Sequence, residues 1–411
     1  MTITHHIKRP LDLRGPQGET LPRNWVFLGV GYSAKALIAK LPEGLNLVGT
    51  SRDPSKWPDE LKAKVQGVAF TGQVTRELKA ALRQADVILV SLPPSGEGDP
   101  FLSVLKERVQ SLAPKAKWVG YLSATSVYGD REGHWAFEDE LLRPTTARGK
   151  NRVEAELAWL ETGLPVHVFR LAGIYGSTYY GQSRNPFGRI EAGKAHAIIK
   201  DGHVVNRIHV EDIASAIIKS IHKPDPTQVY NLADGHPAPP QDVTRFAARL
   251  LGKMVPVAEP HEPKISDMVR SFYSETKRIS IDKARENLGW DPVYYNYNVG
   301  LMHIYKDQYL PKDAVVVTGY MYISDEIRYW SDAPFLETLR EHIDLSRAEP
   351  GCILFKTSNG FLRRRRLYIV EAFEDPDSYH LHQARTRLSE WHRITRFIRR
   401  HYNVIGLPDQ D

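Results

Sequence analysis

Two glycines one residue apart, Gly29-Val30-Gly31, stand directly behind the apolar run Trp25-Val26-Phe27-Leu28 and ahead of Tyr32-Ser33-Ala34. The spacing is G-x-G-x-x-G/A with alanine in the third place. The first glycine permits a tight turn. The second lets the backbone approach a pyrophosphate, and a small third residue lets the next helix pack on the strand. That helix would offer its free N–H groups and positive dipole end to phosphates. The chemistry implied is dinucleotide binding, with Gly29, Gly31, Tyr32, Ser33 and Ala34 beside the pyrophosphate.

The end of the next strand selects the dinucleotide. An Asp or Glu there bonds the ribose 2′-hydroxyl of NAD. This chain has Thr50-Ser51-Arg52, with Arg52 lying 23 residues after Gly29. A guanidinium pairs bidentately with a phosphate, and a serine hydroxyl adds a bond. Ser51 and Arg52 therefore favour NADP over NAD, with Asp53 pointing away.

These residues need a scaffold, and the surrounding pattern supplies one. Strands Trp25–Gly29, Leu45–Thr50, Asp86–Leu92, Lys117–Leu122 and Val166–Leu171 alternate with helices Ala34–Leu41, Arg76–Gln84, Phe101–Ala113 and Arg148–Glu161. The strands are apolar on both faces, as in a parallel sheet covered by helices. The fold class is α/β, a Rossmann doubly wound sheet with a looser substrate lobe from Ala172 to Pro311. After Tyr309–Asp313 the order β-α-β-β-α-β begins, that of an α+β ferredoxin-like fold. Its last helix is expected at Ser378–Arg400, with Ala384, Leu388, Trp391, Ile394 and Ile398 on one face. The expected organisation is a flexible arm at 1–23, a nucleotide domain at 24–311 and a ferredoxin-fold domain at 312–411.

A length of 411 residues calls for more than one core. With 42% hydrophobic and 25% charged residues, the chain is neither collagen-like nor wholly disordered. One cysteine, Cys352, excludes an intrachain disulfide and any multi-cysteine metal site. It fits a reducing cytoplasm. The N-terminal stretch lacks the apolar core of a signal peptide, and no apolar run is long enough to cross a bilayer. The net charge is +6, and residues 312–411 carry 15 Lys/Arg and 15 Asp/Glu, so the excess belongs to 1–311. That excess favours an anionic ligand and is too diffuse for nucleic acid.

From Gly29 to about residue 310 the chain resembles the extended short-chain dehydrogenase/reductase superfamily, also called the NAD-dependent epimerase/dehydratase family. The resemblance is carried by Leu122-Ser123-Ala124-Thr125-Ser126-Val127-Tyr128-Gly129-Asp130, Phe169-Arg170-Leu171-Ala172-Gly173-Ile174-Tyr175-Gly176, Asn206-Arg207-Ile208-His209-Val210-Glu211-Asp212-Ile213-Ala214 and Val229-Tyr230-Asn231-Leu232. In that family a Ser or Thr orients the substrate oxygen, a Tyr exchanges the proton and a Lys lowers the Tyr pKa and holds the ribose. The pattern Tyr-Gly-x-x-Lys-x-x-x-Glu falls on Arg148-Gly149-Lys150-Asn151-Arg152-Val153-Glu154-Ala155-Glu156. Arg148 replaces the Tyr, Arg152 the Lys, and Ala124 occupies the Ser/Thr place. An arginine stays protonated and cannot exchange the proton. The resemblance is therefore to the atypical branch.

Ser123, Thr125 and Ser126 remain as candidate catalytic hydroxyls, and Arg152 as a ribose or phosphate contact. By family position, Tyr128 and Tyr175 are nearby phenols, assigned to the core. His134, Trp135 and Glu138 lie on the substrate side. Tyr179, Tyr180, Arg184, Asn185, Phe187 and Arg189 form a loop that either closes on the ligand or is plain surface. Trp135, Arg184 and Asn185 are the substrate candidates. His209, Glu211 and Asp212 start a helix, where first-turn acids suit the dipole.

Residues 314–405 resemble the antibiotic biosynthesis monooxygenase family of small dimeric α/β barrels. The matching segments are Arg347-Ala348-Glu349-Pro350-Gly351-Cys352, Tyr368-Ile369-Val370-Glu371-Ala372-Phe373-Glu374-Asp375, His382 and Trp391. The resemblance implies a homodimer formed through this domain. His380, His382, His392 and His401 lack metal-ligand spacing, and no metal is expected. Arg363–Arg366 reads as a solvated hairpin turn.

The leading expectation is a cytoplasmic NADP-binding oxidoreductase or epimerase-like enzyme for a small or sugar-like metabolite, with no nucleic-acid or membrane partner. The alternatives are a non-catalytic NADP(H)-responsive scaffold, and cofactor-independent monooxygenase chemistry in the last domain.

Overall fold

The computed structural model describes residues 2–6, 20–105, 108–263, 265, 273–322, 333–359 and 366–407. Arg363–Arg365 of the expected hairpin turn lie outside the described residues. The chain forms two compact units, Pro10–Tyr297 and a second made of Met1–Arg9 with Asn298–Asp411.

Strand β1 (Thr2–His6) belongs to the second unit. The first unit is built on a seven-stranded sheet. Its strands are β2 (Asn24–Leu28), β3 (Asn46–Ser51), β4 (Gln66–Ala69), β5 (Val87–Val90), β6 (Trp118–Ala124), β8 (Val166–Leu171) and β13 (Val229–Leu232). The spatial order is β13-β8-β6-β5-β2-β3-β4. Every neighbouring pair is parallel. The order reverses between β2 and β5, which is the Rossmann arrangement, and it opens a crevice beyond the carboxyl ends of those two strands. Side-chain alternation explains the buried strands. Trp25 and Phe27 enter one apolar cluster, while Val26 and Leu28 enter the cluster on the opposite face.

Helices α1 (Tyr32–Lys40), α2 (Asp59–Lys64), α3 (Arg76–Gln84), α4 (Val109–Leu112) and α5 (Ala147–Leu160) connect these strands. The expected helix Phe101–Ala113 is instead a 3-10 turn, Leu102–Val104, and then α4. Asp99 makes the turn by accepting from the N–H groups of Phe101 and Leu102.

Short strands and helices complete the unit. Strand β7 (Trp135–Ala136) pairs with β15 (Arg278–Ile279), and β11 (Ala197–Ile198) with β14 (Val257–Ala258). Strand β9 (Gly173–Tyr179) lies between β10 (Gln182–Arg184) and β12 (Arg207–His209). The helices here are α6 (Phe187–Glu191), α7 (Val210–His222), α8 (Pro240–Leu250) and α9 (Asp282–Leu288).

The second unit has a five-stranded sheet in the order β1-β19-β16-β18-β17. Its later strands are β16 (Val315–Tyr322), β17 (Cys352–Asn359), β18 (Arg366–Phe373) and β19 (Arg400–Ile405). Strand β16 is antiparallel to β18 and β19, and β17 to β18. Helices α10 (Tyr297–Tyr309), α11 (Ala333–Arg347), α12 (Pro376–Leu388) and α13 (Glu390–Thr395) accompany it. Met321, Phe335, Leu339, Phe355, Leu367, Ile369, Trp391 and Ile398 form its main core.

Three expectations change here. Residues 2–6 of the supposed arm form β1, which runs parallel to β19 from Thr2 beside Arg400 to His6 beside Val404. Residues 7–19 lie outside the described residues, while 20–23 are tied to the first unit, where Leu21 packs on the core and the Arg23 carbonyl accepts from the Asn46 N–H at 2.8 Å. The units divide between Tyr297 and Asn298, ahead of the expected boundary at 311/312. Helix α10 goes with the second unit because Met302 meets the Thr318 hydroxyl of β16 and Lys306 donates to the Lys312 carbonyl. The expected helix Ser378–Arg400 is broken at Ser389. That residue caps α13 by accepting from the His392 N–H at 3.2 Å, and its hydroxyl donates to the Thr386 carbonyl. Leu388, assigned to the buried face, is therefore 90% exposed.

Candidate functional site

The glycine turn sits at the crevice between β2 and β5. Gly29 has φ +93°, a region that favours glycine. A Cβ there would lie 3.1 Å from both Leu92 and Ser91. The turn is pinned from both sides. Gly29 N–H donates to the Thr50 hydroxyl at 2.8 Å, and the Ser91 hydroxyl donates to the Gly29 carbonyl at 2.6 Å.

Gly31 is exposed, and a Cβ on it would meet nothing nearer than Ser91 Oγ at 3.9 Å. It is the N-cap of α1, with no side-chain cap and no acidic residue in the first turn. Ala34 is fully buried against the sheet. An open backbone, an uncapped helix start and a small packing residue together fit a dinucleotide pyrophosphate. Ser33 is buried in the same turn of helix. The Tyr32 side chain points away from that position, as its buried hydroxyl donates to the Ser177 carbonyl at 2.7 Å.

At the end of β3, Ser51 Oγ accepts from the Asp53 N–H at 3.1 Å. The Asp53 carboxylate accepts from the Ser55 N–H and hydroxyl and pairs with Lys56, so it is occupied as a local cap. Those bonds hold its pKa low, the Ser55 hydroxyl first. Arg52 is exposed and bonds no other described residue.

The three candidate hydroxyls part company. Ser123, at the end of β6, is buried and its hydroxyl donates to Glu156. Glu156 in turn holds Arg170, whose Nη2 lies 2.9 Å from Oε2 with Nε shared between both oxygens. Arg170 Nη1 donates to the Tyr128 hydroxyl at 2.9 Å, which donates to Asn231 at 2.7 Å. Ser123 is thus part of a buried brace tying β6, α5, β8 and β13, which removes it as a free catalytic hydroxyl. Burial pushes the Tyr128 phenol up to about 12. Thr125 and Ser126 lie in the 3-10 turn Thr125–Tyr128 and are half-buried. Ser126 Oγ is a buried atom with no hydrogen-bond partner among the described residues.

Helix α5 brings its arginines to the same end of the sheet. Gly149 seats the helix, since a Cβ there would be 2.6 Å from the Ser126 carbonyl. Arg152 is 9% exposed and donates to the Leu122 carbonyl at 2.7 Å. Arg148, a turn earlier, is exposed. Arg184 of β10 places its guanidinium 5.6 Å from the centre of the Tyr32 ring.

The other candidates disperse. Trp135 is 45% exposed on β7, and His134 beside it is exposed. Glu138 accepts from the Asn231 N–H at 2.8 Å, and burial raises its pKa. Asn185 Oδ1 accepts from the Phe187 N–H at the start of α6, a local turn. Phe187 is fully buried. Tyr179 donates to Glu211, which also pairs with Lys40 at 3.0 Å. His209 is the N-cap of α7, with Nδ1 accepting from the Glu211 N–H. Asp212 accepts from the N–H groups of Val293 and Tyr294, yet burial pushes its pKa up to about 8. Tyr175 is buried, and its hydroxyl has no hydrogen-bond partner among the described residues.

Sequence reasoning missed the Glu156–Arg170 pair and the place of Arg184. The glutamate ending Tyr-Gly-x-x-Lys-x-x-x-Glu was the available signal for the first. Nothing local marks the second, because Arg184 and Tyr32 are brought together only by β9.

No family model matches the chain. Protein YeeZ of Escherichia coli (strain K12) is 39% identical over 166 residues, which are 38% of this chain and 57% of that protein. The chain thus spans little more than half the length of this curated relative. A solved structure of a functionally unknown conserved protein from Silicibacter pomeroyi DSS is 40% identical, covering 70% of this chain and 99% of that one with a TM-score of 0.64. The dTDP-glucose 4,6-dehydratase of Bacillus anthracis str. Ames, solved with NAD, is 18% identical over 70% of this chain and 98% of its own, with a TM-score of 0.56. The UDP-glucose 4-epimerase of Bifidobacterium longum, solved with NAD+ and UDP, is 17% identical over 70% and 99%, with a TM-score of 0.54. At such identities these two show a common fold. Over 70% of its length the chain belongs to the family of the conserved Silicibacter pomeroyi protein, built on the fold of the epimerases and dehydratases.

Proposed function

We propose that the first unit binds NADP and works as an atypical short-chain oxidoreductase or epimerase-like enzyme on a small or sugar-like metabolite. The observation that carries this reading is the open, uncapped start of α1 behind Gly29 and Gly31, with Arg52 unengaged at the end of β3. Bound there, the nicotinamide would supply a hydride donor or acceptor. The chain's own residues do the rest. The backbone of Gly31 to Ala34 holds the pyrophosphate, Ser51 and Arg52 the 2′-phosphate, and Arg152 the ribose. Thr125 or Ser126 orients the substrate oxygen. Arg148 remains a cation and exchanges no proton, so solvent carries it.

Fluorescence titration with NADPH and NADH tests the reading. Tighter binding of NADPH is expected, and binding of neither overturns it. Arg52→Ala should weaken NADPH about ten- to a hundredfold, the worth of a charged hydrogen bond or two, and leave NADH unchanged. An unaltered NADPH preference would overturn the assignment of the 2′-phosphate to Arg52.

A second reading has its own support. Arg148, Arg152 and Ala124 stand where the resemblance expects the catalytic trio, which suits an NADP(H)-responsive scaffold. Purified protein that binds NADPH but never oxidises it across a carbonyl panel would favour that role. For the second unit, the connectivity β16-α11-β17-β18-α12-β19 supports a ferredoxin-like domain, and the resemblance to the monooxygenase family carries the further proposal of a homodimer through it. Light scattering of the intact chain reads the oligomer. Among the described residues no helix is long and apolar enough to cross a membrane.

A further inference from the structure

Arg148 and Arg152 lie one turn apart on α5, so both side chains leave the same face. Gly149, between them, rests on the Ser126 carbonyl at the carboxyl end of β6. Arg184 reaches from β10 to the ring of Tyr32, the first residue of the helix behind the glycine turn. The charges of Arg152 and Arg184 both act on Arg148. Arg148 and Arg152 thus share one face of α5, and Arg184 lies within electrostatic reach of Arg148 at the crevice.

Among the described residues, none of the three has a carboxylate within ion-pair distance. Three other arginines of this unit do, Arg170 with Glu156 at 2.9 Å, Arg131 with Glu140 at 2.7 Å and Arg285 with Asp291 at 2.6 Å, while Arg189 and Arg278 do not. The first turn of α5 carries no acidic residue. Arg148 therefore stands at the positive end of a helix dipole, where a cation is disfavoured. Arg148 keeps solvent contact, yet partial desolvation first, then Arg152 and Arg184, lower its pKa. Arg152 is nearly buried, and among the described residues it donates to the neutral Leu122 carbonyl and, at 3.4 Å, the Tyr121 hydroxyl. Like charges gathered without a counter-charge cost stability, and an arriving anion relieves all three at once.

We propose that Arg148 and Arg184 form an oxyanion site for the substrate, beside the Arg152 that the cofactor ribose takes. The substrate is then an acidic metabolite that presents a carboxylate or a phosphate next to Thr125 and Ser126. Planar guanidinium forks take either group bidentately. The assignment of the anion to substrate rests on the dinucleotide occupying the glycine turn, since the cofactor then has its own phosphate contacts at α1 and Arg52. The arginine that displaces the usual phenol thereby holds the substrate in place and moves no proton.

The test uses the full chain with NADPH saturating, titrated calorimetrically with oxalate in one arm and inorganic phosphate in the other. Binding of one or both is expected, the tighter arm naming the group. Arg148→Gln and Arg184→Gln should each weaken that binding at least tenfold, with less than a threefold change for NADPH. Both variants should melt at or above the wild-type temperature, because repulsion is relieved; a purely structural role would lower it. Absence of anion binding by the NADPH-loaded protein overturns the proposal. So does an equal loss of NADPH affinity in the variants, which would give the arginines to the cofactor's phosphates. If the wild type binds no NADPH, the cofactor reading fails by itself. The same titrations of the unloaded protein then decide the anion site: loss of anion binding in Arg148→Gln sustains it, and unchanged binding ends it.

Discussion

Glu156 shows how one residue changes the meaning of its neighbours. Ser123 reads as a catalytic hydroxyl by position, but it serves a buried carboxylate that also holds Arg170. Replacing Arg170 with Met leaves that charge buried and unpaired. The expected loss is about 3–5 kcal/mol by urea denaturation, whereas Ser123→Ala should cost nearer 1 kcal/mol, the worth of one hydrogen bond, and leave NADPH binding intact.

Asp234 gives a second handle at this scale. Burial raises its pKa from 3.8 to about 7 in the folded protein, against the lowering effects of the His236 N–H and Arg207. Between those two values the native state keeps a proton that the unfolded chain has lost. Its contribution to stability therefore falls as pH rises from about 4 to about 7 and then levels. Asp234→Asn retains the oxygen that accepts from the His236 N–H but cannot titrate. Its melting temperature relative to wild type should climb from pH 5 to pH 7, and a constant difference would contradict the buried charge. The glycine turn and α1 were legible in the sequence because their signals are local. The Glu156 brace and the arginine cluster join residues from separate strands and helices, and no single window of sequence contains them.

At the scale of elements, alternation along β2 and the βα repeat were enough to set out the parallel sheet. Periodicity failed where a cap competes with a continuing helix. The apolar positions of 384–398 extend through Ser389, yet its hydroxyl closes α12 and opens α13. Ser389→Ala should cost about 1 kcal/mol in chemical denaturation. Exchange at the amides of α13 should rise with it, because the His392 N–H loses its acceptor. Gly29→Ala is an element-scale change as well. It forces an alanine to φ +93° and against Ser91 and Leu92. A loss of about 1–3 kcal/mol is expected, together with loss of NADPH binding.

For the whole molecule, the telling pair is β1 with β19. The sequence offered no sign of it: Thr2-Ile3-Thr4-His5-His6 is short and polar, and its partner lies at the other end of the chain. A chain lacking residues 1–9 should keep NADPH affinity within twofold. The same deletion should bare one edge of β19, seen as faster hydrogen exchange at Arg400–Ile405. During synthesis this strand emerges about 400 residues before its partner, and bringing the two together closes a long loop at an entropic cost. The Pro10–Tyr297 unit can fold in the interval. Until translation reaches Arg400, the edge of β1 that pairs with β19 is thus left open. A stalled or truncated product would carry that edge permanently, as an invitation to pair with another copy.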